Sequence, residues 1–179
     1  VFHNSRKQAL LFLLPLLLAL VLAVCAAPAA FAAADADEEG ALPEYTISLA
    51  DGGTTSDCGS VKVSGSTVLI TEAGSYTVSG SLSDGQIIID TDKESKVRLI
   101  LNGVSITSSN TAPIYVRSAD KLVLVLQDGT TSTLSTTGSF VSSDDNNVDA
   151  VIFSKDDLTV KGNGSLVIQS TDHGIVSKD

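Results

Sequence analysis

The chain has 179 residues, about the length of one domain, and its formal net charge is −10. All 21 acidic residues follow residue 34, where nine basic residues remain once Arg6 and Lys7 are set aside, so this part carries −12. A surface this acidic repels nucleic acid and anionic membranes, which we exclude as partners, but it is compatible with hard cations that prefer oxygen ligands. Solubility alone also explains the acidity.

Residues 1–34 are predicted to be a signal peptide that is removed on export. Arg6 and Lys7 form a short basic region, residues 9–24 are apolar, and residues 30–32 (AFA) have the small-x-small pattern of a cleavage site. Cys25 then falls inside the leader, which leaves Cys58 as the single cysteine of the exported part and excludes an intrachain disulfide. We therefore expect a secreted or cell-surface protein with no membrane segment after signal removal.

The exported part is predicted to be a short linker followed by an all-β domain. Residues 35–44 are polar and charged, which indicates the linker. From residue 45 to residue 179, short runs of aliphatic and β-branched residues alternate with Gly, Asn, Asp and Ser, and no helical periodicity is evident. Typical runs are Ile87-Ile88-Ile89, Ile114-Tyr115-Val116 and Leu166-Val167-Ile168.

Two all-β architectures are compatible with these strands. An antiparallel β-sandwich is the alternative, because Asn102-Gly103 and Asn163-Gly164 are dipeptides that favour tight hairpins. A solenoid, the parallel β-helix, is favoured by internal repetition: residues 152–156 (IFSKD) return as residues 175–179 (IVSKD) after 23 residues. Ile87 and Ile114 begin earlier copies of this repeat. Residues 128–149 are predicted to be a loop inserted into one coil. We predict the solenoid.

The chain stops at the beginning of a new coil. Each coil of a solenoid buries its flat faces against neighbours above and below, and terminal coils need caps. We therefore expect this chain to be the N-terminal part of a longer β-helix, truncated at its C-terminal end.

Several phrases carry a resemblance to a known family. GSYTVSGSLSDGQIIID (residues 74–90) and DAVIFSKDDLTVKGNGSLVIQSTDHGIVSKD (residues 149–179) resemble secreted carbohydrate-binding domain-containing proteins of Gram-positive bacteria, over roughly residue 64 to the end. The resemblance implies a right-handed, single-stranded parallel β-helix similar to pectate lyases. It also implies calcium bound by acidic side chains and adhesion to cellulose and pectin-type polysaccharides, by binding rather than turnover.

Oxygen-rich turns provide candidate calcium ligands. Asp156 and Asp179 recur one coil apart, about 4.8 Å in a solenoid, so that their like charges need compensation by lysines or by a cation. A second group lies in the predicted loop. Each aspartate is equally well explained as a solvated turn residue that satisfies backbone groups. The candidate metal ligands are Asp144, Asp145, Asp149, Asp156, Asp157, Asp172 and Asp179.

Three residues are candidates for contact with a polysaccharide. Phe140 is the aromatic residue of the predicted loop and offers a ring on which a sugar can stack, whereas Tyr115 and Phe153 occupy equivalent repeat positions and are expected to stack on each other. Lys155 and Lys178 repeat beside aspartates and could contact an acidic polymer.

The function predicted from these features is calcium-dependent binding of a plant-type or cell-wall polysaccharide by an exported protein that is not an enzyme. A pectate-lyase-like enzyme is one alternative, in which Lys155 would be the base beside calcium. A base is needed once, however, and the repetition of the lysine favours a charge partner. A surface spacer or adhesin that binds no sugar is the other alternative.

Overall fold

A computed structural model describes residues 41–141 and 144–178. The predicted signal peptide, the linker up to residue 40 and the candidate ligand Asp179 lie outside these residues. Where the chain is described it forms fifteen strands and no helix, and hence no helix that is apolar and long enough to cross a membrane. The strands are β1 (Glu44–Leu49), β2 (Thr55–Ser56), β3 (Val61–Ser64), β4 (Thr67–Ile70), β5 (Gly74–Leu82), β6 (Gln86–Asp90), β7 (Lys96–Leu101), β8 (Ser105–Ser108), β9 (Ile114–Ser118), β10 (Lys121–Leu126), β11 (Thr131–Thr136), β12 (Ala150–Ser154), β13 (Asp157–Gly162), β14 (Ser165–Gln169) and β15 (His173–Ser177).

Successive coils of the chain pair in parallel along three faces. Face 1 contains β1, the first part of β5, β7, β10 and β13; face 2 contains the end of β5, β8, β11 and β14; face 3 contains β4, β6, β9, β12 and β15. From β6 onward, each strand pairs with the strand three places later. Antiparallel pairing within the described residues is confined to β1 with β2 and β3 with β4. The all-β prediction is confirmed, and the antiparallel sandwich is wrong.

The sequence repeats correspond to the strands of face 3, and equivalent residues of the repeats pair with one another. Ile87 pairs with Ile114, Ile114 with Ile152, and Ile152 with Ile175. The predicted loop over residues 128–149 is partly wrong, because Thr131–Thr136 form β11. Leu134 of that strand is buried between Ile106 of β8 and Ile168 of β14, so its neighbours impose the extended conformation on a Ser/Thr-rich segment.

The interior is filled by rows of apolar side chains from neighbouring coils. Tyr76, Leu99 and Leu124 are opposite one another on face 1, and all three are fully buried. Alternate residues of each strand point inward, so the same positions stack coil upon coil. This main core lies inside the coil.

A second apolar cluster lies on the outer side of face 3. Ile88, Tyr115 and Phe153 are outward neighbours in successive strands, yet all are buried. They are covered by residues of the segment between β11 and β12, including Val148 and the partly buried Phe140. The rings of Tyr115 and Phe153 contact edge to face at 5.8 Å, which confirms that these two aromatics stack on each other. The inserted segment, residues 137–149, is therefore anchored to the solenoid by its own small core.

A glycine substitution tests how closely neighbouring coils approach at the corners. Gly162 has φ of 105° and a Cβ there would overlap the carbonyl oxygen of Leu126, whereas Gly129 has φ of 71° and open space around the same position. Both alanine variants adopt an unfavourable conformation, but only Gly162→Ala also separates β10 from β13. In urea unfolding we expect the free energy of unfolding to fall by about 1 kcal/mol for Gly129→Ala and by about 3 kcal/mol for Gly162→Ala. Equal losses would contradict the close packing of coils.

Candidate functional site

The predicted site residues divide between two edges of face 3. Lys155, Asp156 and Asp157 follow or begin strands at the corner between β12 and β13, and Lys178 follows β15 at the same corner. The remaining described candidates lie at the opposite edge, where the chain enters face 3. They are Phe140, Asp144, Asp145 and Asp149 in the inserted segment and Asp172 before β15. The structure does not bring the two groups together.

The corner between β12 and β13 is held by ion pairs and backbone hydrogen bonds. Asp156 forms an ion pair with Lys93, and its other carboxylate oxygen accepts a hydrogen bond from the amide of Ala119 at 3.0 Å. Asp157 is opposite Lys121 on face 1. Asp156 thus bonds to the backbone of a neighbouring coil and has its charge compensated by a lysine.

The two candidate lysines are placed differently from each other. Lys155 is exposed, and its backbone amide donates to the carbonyl of Val116 at 3.1 Å. The ammonium of Lys178 lies 5.4 Å from the centre of the Phe153 ring, within reach of a cation–π contact. Neither lysine lies at the edge that holds Phe140.

A polar clamp fixes the inserted segment to the outside of face 3. The Tyr115 hydroxyl donates to Asp144 at 2.7 Å and accepts from the side-chain amide of Asn146 at 2.8 Å. Arg117 contacts Asp144 at 3.3 Å and Asp90 at 3.0 Å, so one guanidinium joins the inserted segment to β6. Asp144 is therefore engaged within the fold.

The clamp shifts the acidity of its members in opposite directions. Burial raises the pKa of Tyr115 to about 12, with a further contribution from Asp144. Burial also opposes ionisation of Asp144, but hydrogen bonds from Tyr115 and Asn146 outweigh it and lower the pKa of that carboxyl. For Arg117, burial works against the charge, yet the hydrogen bond and charge of Asp90 raise its pKa overall. Arg117 is accordingly a fixed cation and unsuited to act as a base.

A pocket of about 320 Å³ opens between the inserted segment and the turn before β15. Phe140 and Val148 contribute apolar surface, and Ser139, Asn147 and Thr171 contribute hydroxyl and amide groups. Two carboxylates, those of Asp149 and Asp172, complete the lining. We call this the Phe140 pocket. It offers an aromatic ring beside several hydrogen-bonding groups, the combination that suits a hydroxylated ring.

His173 connects the two carboxylates of the Phe140 pocket. Its Nδ1 lies 3.0 Å from Asp172 and 3.8 Å from Asp149, and its amide donates to the Asp149 carbonyl at 3.0 Å. The other carboxylate oxygen of Asp149 is buried and has no hydrogen-bond partner among the described residues. Asp149 therefore brings a buried, unsatisfied acceptor to the wall of the pocket.

Metal ligands are not gathered into a complete site. Within residues 41–141 and 144–178, no three His, Cys, Asp or Glu side chains form a group that could hold a metal ion. Asp145 is exposed in the inserted segment. The calcium ligands named from the sequence therefore stay predictions, with Asp149 and Asp172 the two that share a pocket.

Sequence reasoning missed Thr171, Tyr115 and Arg117 as parts of this region. Thr171 is fixed by a hydrogen bond from its hydroxyl to the Gly138 carbonyl at 2.8 Å, so it joins the last described corner to the inserted segment. Its nearness to the insertion could have been inferred from the repeat, since β14 is the coil neighbour of β11. The clamp residues carry no comparable signal in the sequence.

Removing one hydroxyl tests the clamp. Asp144 has a lowered pKa in the folded state, so it stabilises the fold above the ordinary carboxyl pKa of 3.8 and this contribution is lost as pH falls through the folded value. Tyr115→Phe removes a donor to the carboxylate and should cost about 1–2 kcal/mol in urea unfolding at neutral pH, and less once Asp144 is protonated. The matched control is Tyr76→Phe, whose hydroxyl donates to the carbonyl of Glu72 at 2.9 Å. A Tyr115→Phe penalty with the same pH dependence as the control would contradict the clamp.

Comparisons with known proteins agree with this architecture. A family model described as "Carbohydrate-binding domain-containing protein" matches residues 64–179. A relative of that description from Acetivibrio thermocellus is 43% identical over 112 residues, which are 62% of this chain and 39% of the relative, so the chain spans about two fifths of it. The solved structure of a polysaccharide lyase-like protein from C. thermocellum, a gadolinium derivative, is similar with a TM-score of 0.71 and 38% identity, covering 75% of this chain and 56% of that one. Because the family model matches well over half of the residues, the chain belongs to the carbohydrate-binding domain-containing protein family.

Proposed function

We propose that this chain binds polysaccharide and does so in the Phe140 pocket. The observation that carries the proposal is the composition of that pocket: one aromatic ring beside two carboxylates, an amide and two hydroxyls. Sugar rings present an apolar face and a rim of hydroxyls, so an aromatic ring contacts the face while the acceptors receive hydrogen bonds from the rim. Membership of a carbohydrate-binding family supports this assignment.

The finer features of the function are also proposals. The basic and apolar leader with its small-x-small step supports export to the cell surface or the medium. The ligand is a plant-type or cell-wall polysaccharide of the cellulose or pectin type. The three-faced coil is a right-handed parallel β-helix, the hand that parallel crossover connections adopt in nearly all sheets.

Binding is favoured over polysaccharide cleavage by the position of the cations. Among the described residues no Lys or Arg lines the Phe140 pocket, so the lysine base that the sequence offered for a lyase is not at this site. Lys155 and Lys178 belong to the other edge of face 3, and Arg117 is held between Asp90 and Asp144. A plain spacer, in turn, has no need of a pocket lined by an aromatic ring and free acceptors.

We propose that calcium binding depends on the polysaccharide, which would complete the coordination of the ion. Calcium takes about six to eight oxygen ligands. Asp149 and Asp172 are the residues that would hold the ion, because both carboxylates line the Phe140 pocket. The remaining ligands would be backbone, solvent or uronate oxygens, so calcium should matter most for acidic polysaccharides.

Co-sedimentation tests the proposed site. The protein, Phe140→Ala and the control Tyr45→Leu should be mixed with insoluble cellulose and with polygalacturonate, while unsaturated uronate is followed by ultraviolet absorbance. We expect Phe140→Ala to weaken binding by roughly tenfold, since an aromatic contact of this kind contributes about 1 kcal/mol or more. The control removes a partly buried ring from β1 on face 1 and should lower thermal stability without a matching loss of binding.

The same assay with a chelator tests calcium. Chelation should weaken the binding of polygalacturonate and leave that of cellulose nearly unchanged, and Asp149→Asn should abolish this difference. Rising absorbance would make the protein a lyase. Binding that is unaffected by Phe140→Ala would contradict the proposed site. If the folded protein binds neither polysaccharide, the surface spacer is the function that remains.

A further inference from the structure

A second polar pocket lies along the same edge of face 3. Its volume is about 310 Å³, and it is formed where three earlier passes of the chain enter that face, before β4, β6 and β9. Thr67, Asp84, Gln86, Asn110 and Thr111 provide its hydroxyl, amide and carboxylate groups. We call it the Gln86 pocket.

Side chains of successive coils form a ladder in the Gln86 pocket. The Gln86 amide nitrogen donates to the Thr67 hydroxyl at 3.4 Å, and the Thr111 hydroxyl donates to the Gln86 oxygen at 3.1 Å. The carboxylate of Asp84 accepts from the amide of Ser109 at 2.8 Å and from its hydroxyl at 3.0 Å. These bonds hold polar groups in fixed positions one coil apart, which spares a ligand the entropy of ordering them.

The Gln86 pocket and the Phe140 pocket adjoin each other. The carbonyl of Asn110, which lines the first, accepts a hydrogen bond at 2.7 Å from the amide of Val141, the residue after Phe140. A Cβ on Gly138 would overlap the carbonyl oxygen of Ser109, so the inserted segment leaves the corner in contact with the coil below. The two pockets together cover five successive passes of the chain, or about 19 Å at a coil spacing of about 4.8 Å.

The charge of this edge selects among sugars. Of the residues that the structure describes, three carboxylates line the two pockets, those of Asp84, Asp149 and Asp172, and no Lys or Arg does. A chain of uronates would meet like charge at each end, whereas the hydroxyls of a neutral sugar can donate to these acceptors.

We propose that the two pockets form one groove that binds a neutral glucan-like chain parallel to the solenoid axis, with about one sugar for each coil. The repeat distance of stacked coils is close to the length of one sugar residue in an extended chain, so equivalent groups on the protein meet equivalent hydroxyls on the ligand. This inference rests on the proposed binding at Phe140 and extends it by a second pocket, a direction and a preference for neutral over acidic chains.

Titration calorimetry with cellobiose, cellotetraose and cellohexaose tests the groove. Affinity should rise with chain length, because only the longer chains reach the Gln86 pocket. Asn110→Ala and Thr111→Val should weaken cellohexaose roughly tenfold and leave cellobiose unchanged. Phe140→Ala should weaken all three. The matched control is Asn102→Ala, an exposed asparagine at the corner between β7 and β8.

The outcomes separate this inference from the function on which it rests. If cellobiose binding depends on Phe140, but longer chains bind no more tightly and Asn110→Ala has no effect, the two-pocket groove is wrong. Binding at the Phe140 pocket would still stand. No binding of any oligosaccharide overturns both. Tetragalacturonate in a chelator provides the charge test: affinity equal to that of cellotetraose overturns the preference for neutral chains.

Discussion

The structure depends on parallel hydrogen bonding between successive coils in fixed register. Each face of the solenoid repeats the same position at a spacing of about 4.8 Å, so a side chain within an inner strand has a counterpart in the coil on either side. Apolar rows such as Tyr76, Leu99 and Leu124 become a continuous core as a result. The same constraint stacks polar corner residues, which must then satisfy one another, as Thr67, Gln86 and Thr111 do.

The inserted segment converts this regular scaffold into a site. Face 3 carries Ile88, Tyr115 and Phe153 on its outer side, where a bare solenoid would expose them. Phe140 and Val148 of the inserted segment cover this apolar strip, and the clamp around Tyr115 and Asp144 fixes the segment there. Anchoring by both packing and hydrogen bonds positions Phe140 and Asp149 at the edge of the face. A loop attached by either kind of contact alone would define that edge less well.

Much of the fold was predictable because a solenoid repeats its sequence. The recurrence of Ile152 at Ile175 gave the register of face 3, and the excess length before β12 indicated an insertion. β11 was missed because a Ser/Thr-rich strand carries little hydrophobic pattern, and its conformation comes from β8 and β14 on either side.

The site was less predictable than the fold. Phe140, Asp149 and Asp172 were each identified as candidates, but their meeting in one pocket depends on which corner adjoins the insertion. Lys155 and Lys178 were candidates as well, and the structure puts them at the other edge of face 3. Repetition in such a chain reports stacking of coils, whereas the Phe140 pocket lies where the repeat is interrupted.

The central claim is that polysaccharide binds at the edge of face 3 that holds Phe140. Titration of the isotopically labelled protein with cellotetraose, followed by backbone amide chemical shifts in solution, tests it most directly. The account predicts that the largest shifts fall in residues 139–149 and 171–172 and continue toward residues 108–111. Shifts centred on Lys155, Asp156 and Lys178, at the opposite edge, would contradict it.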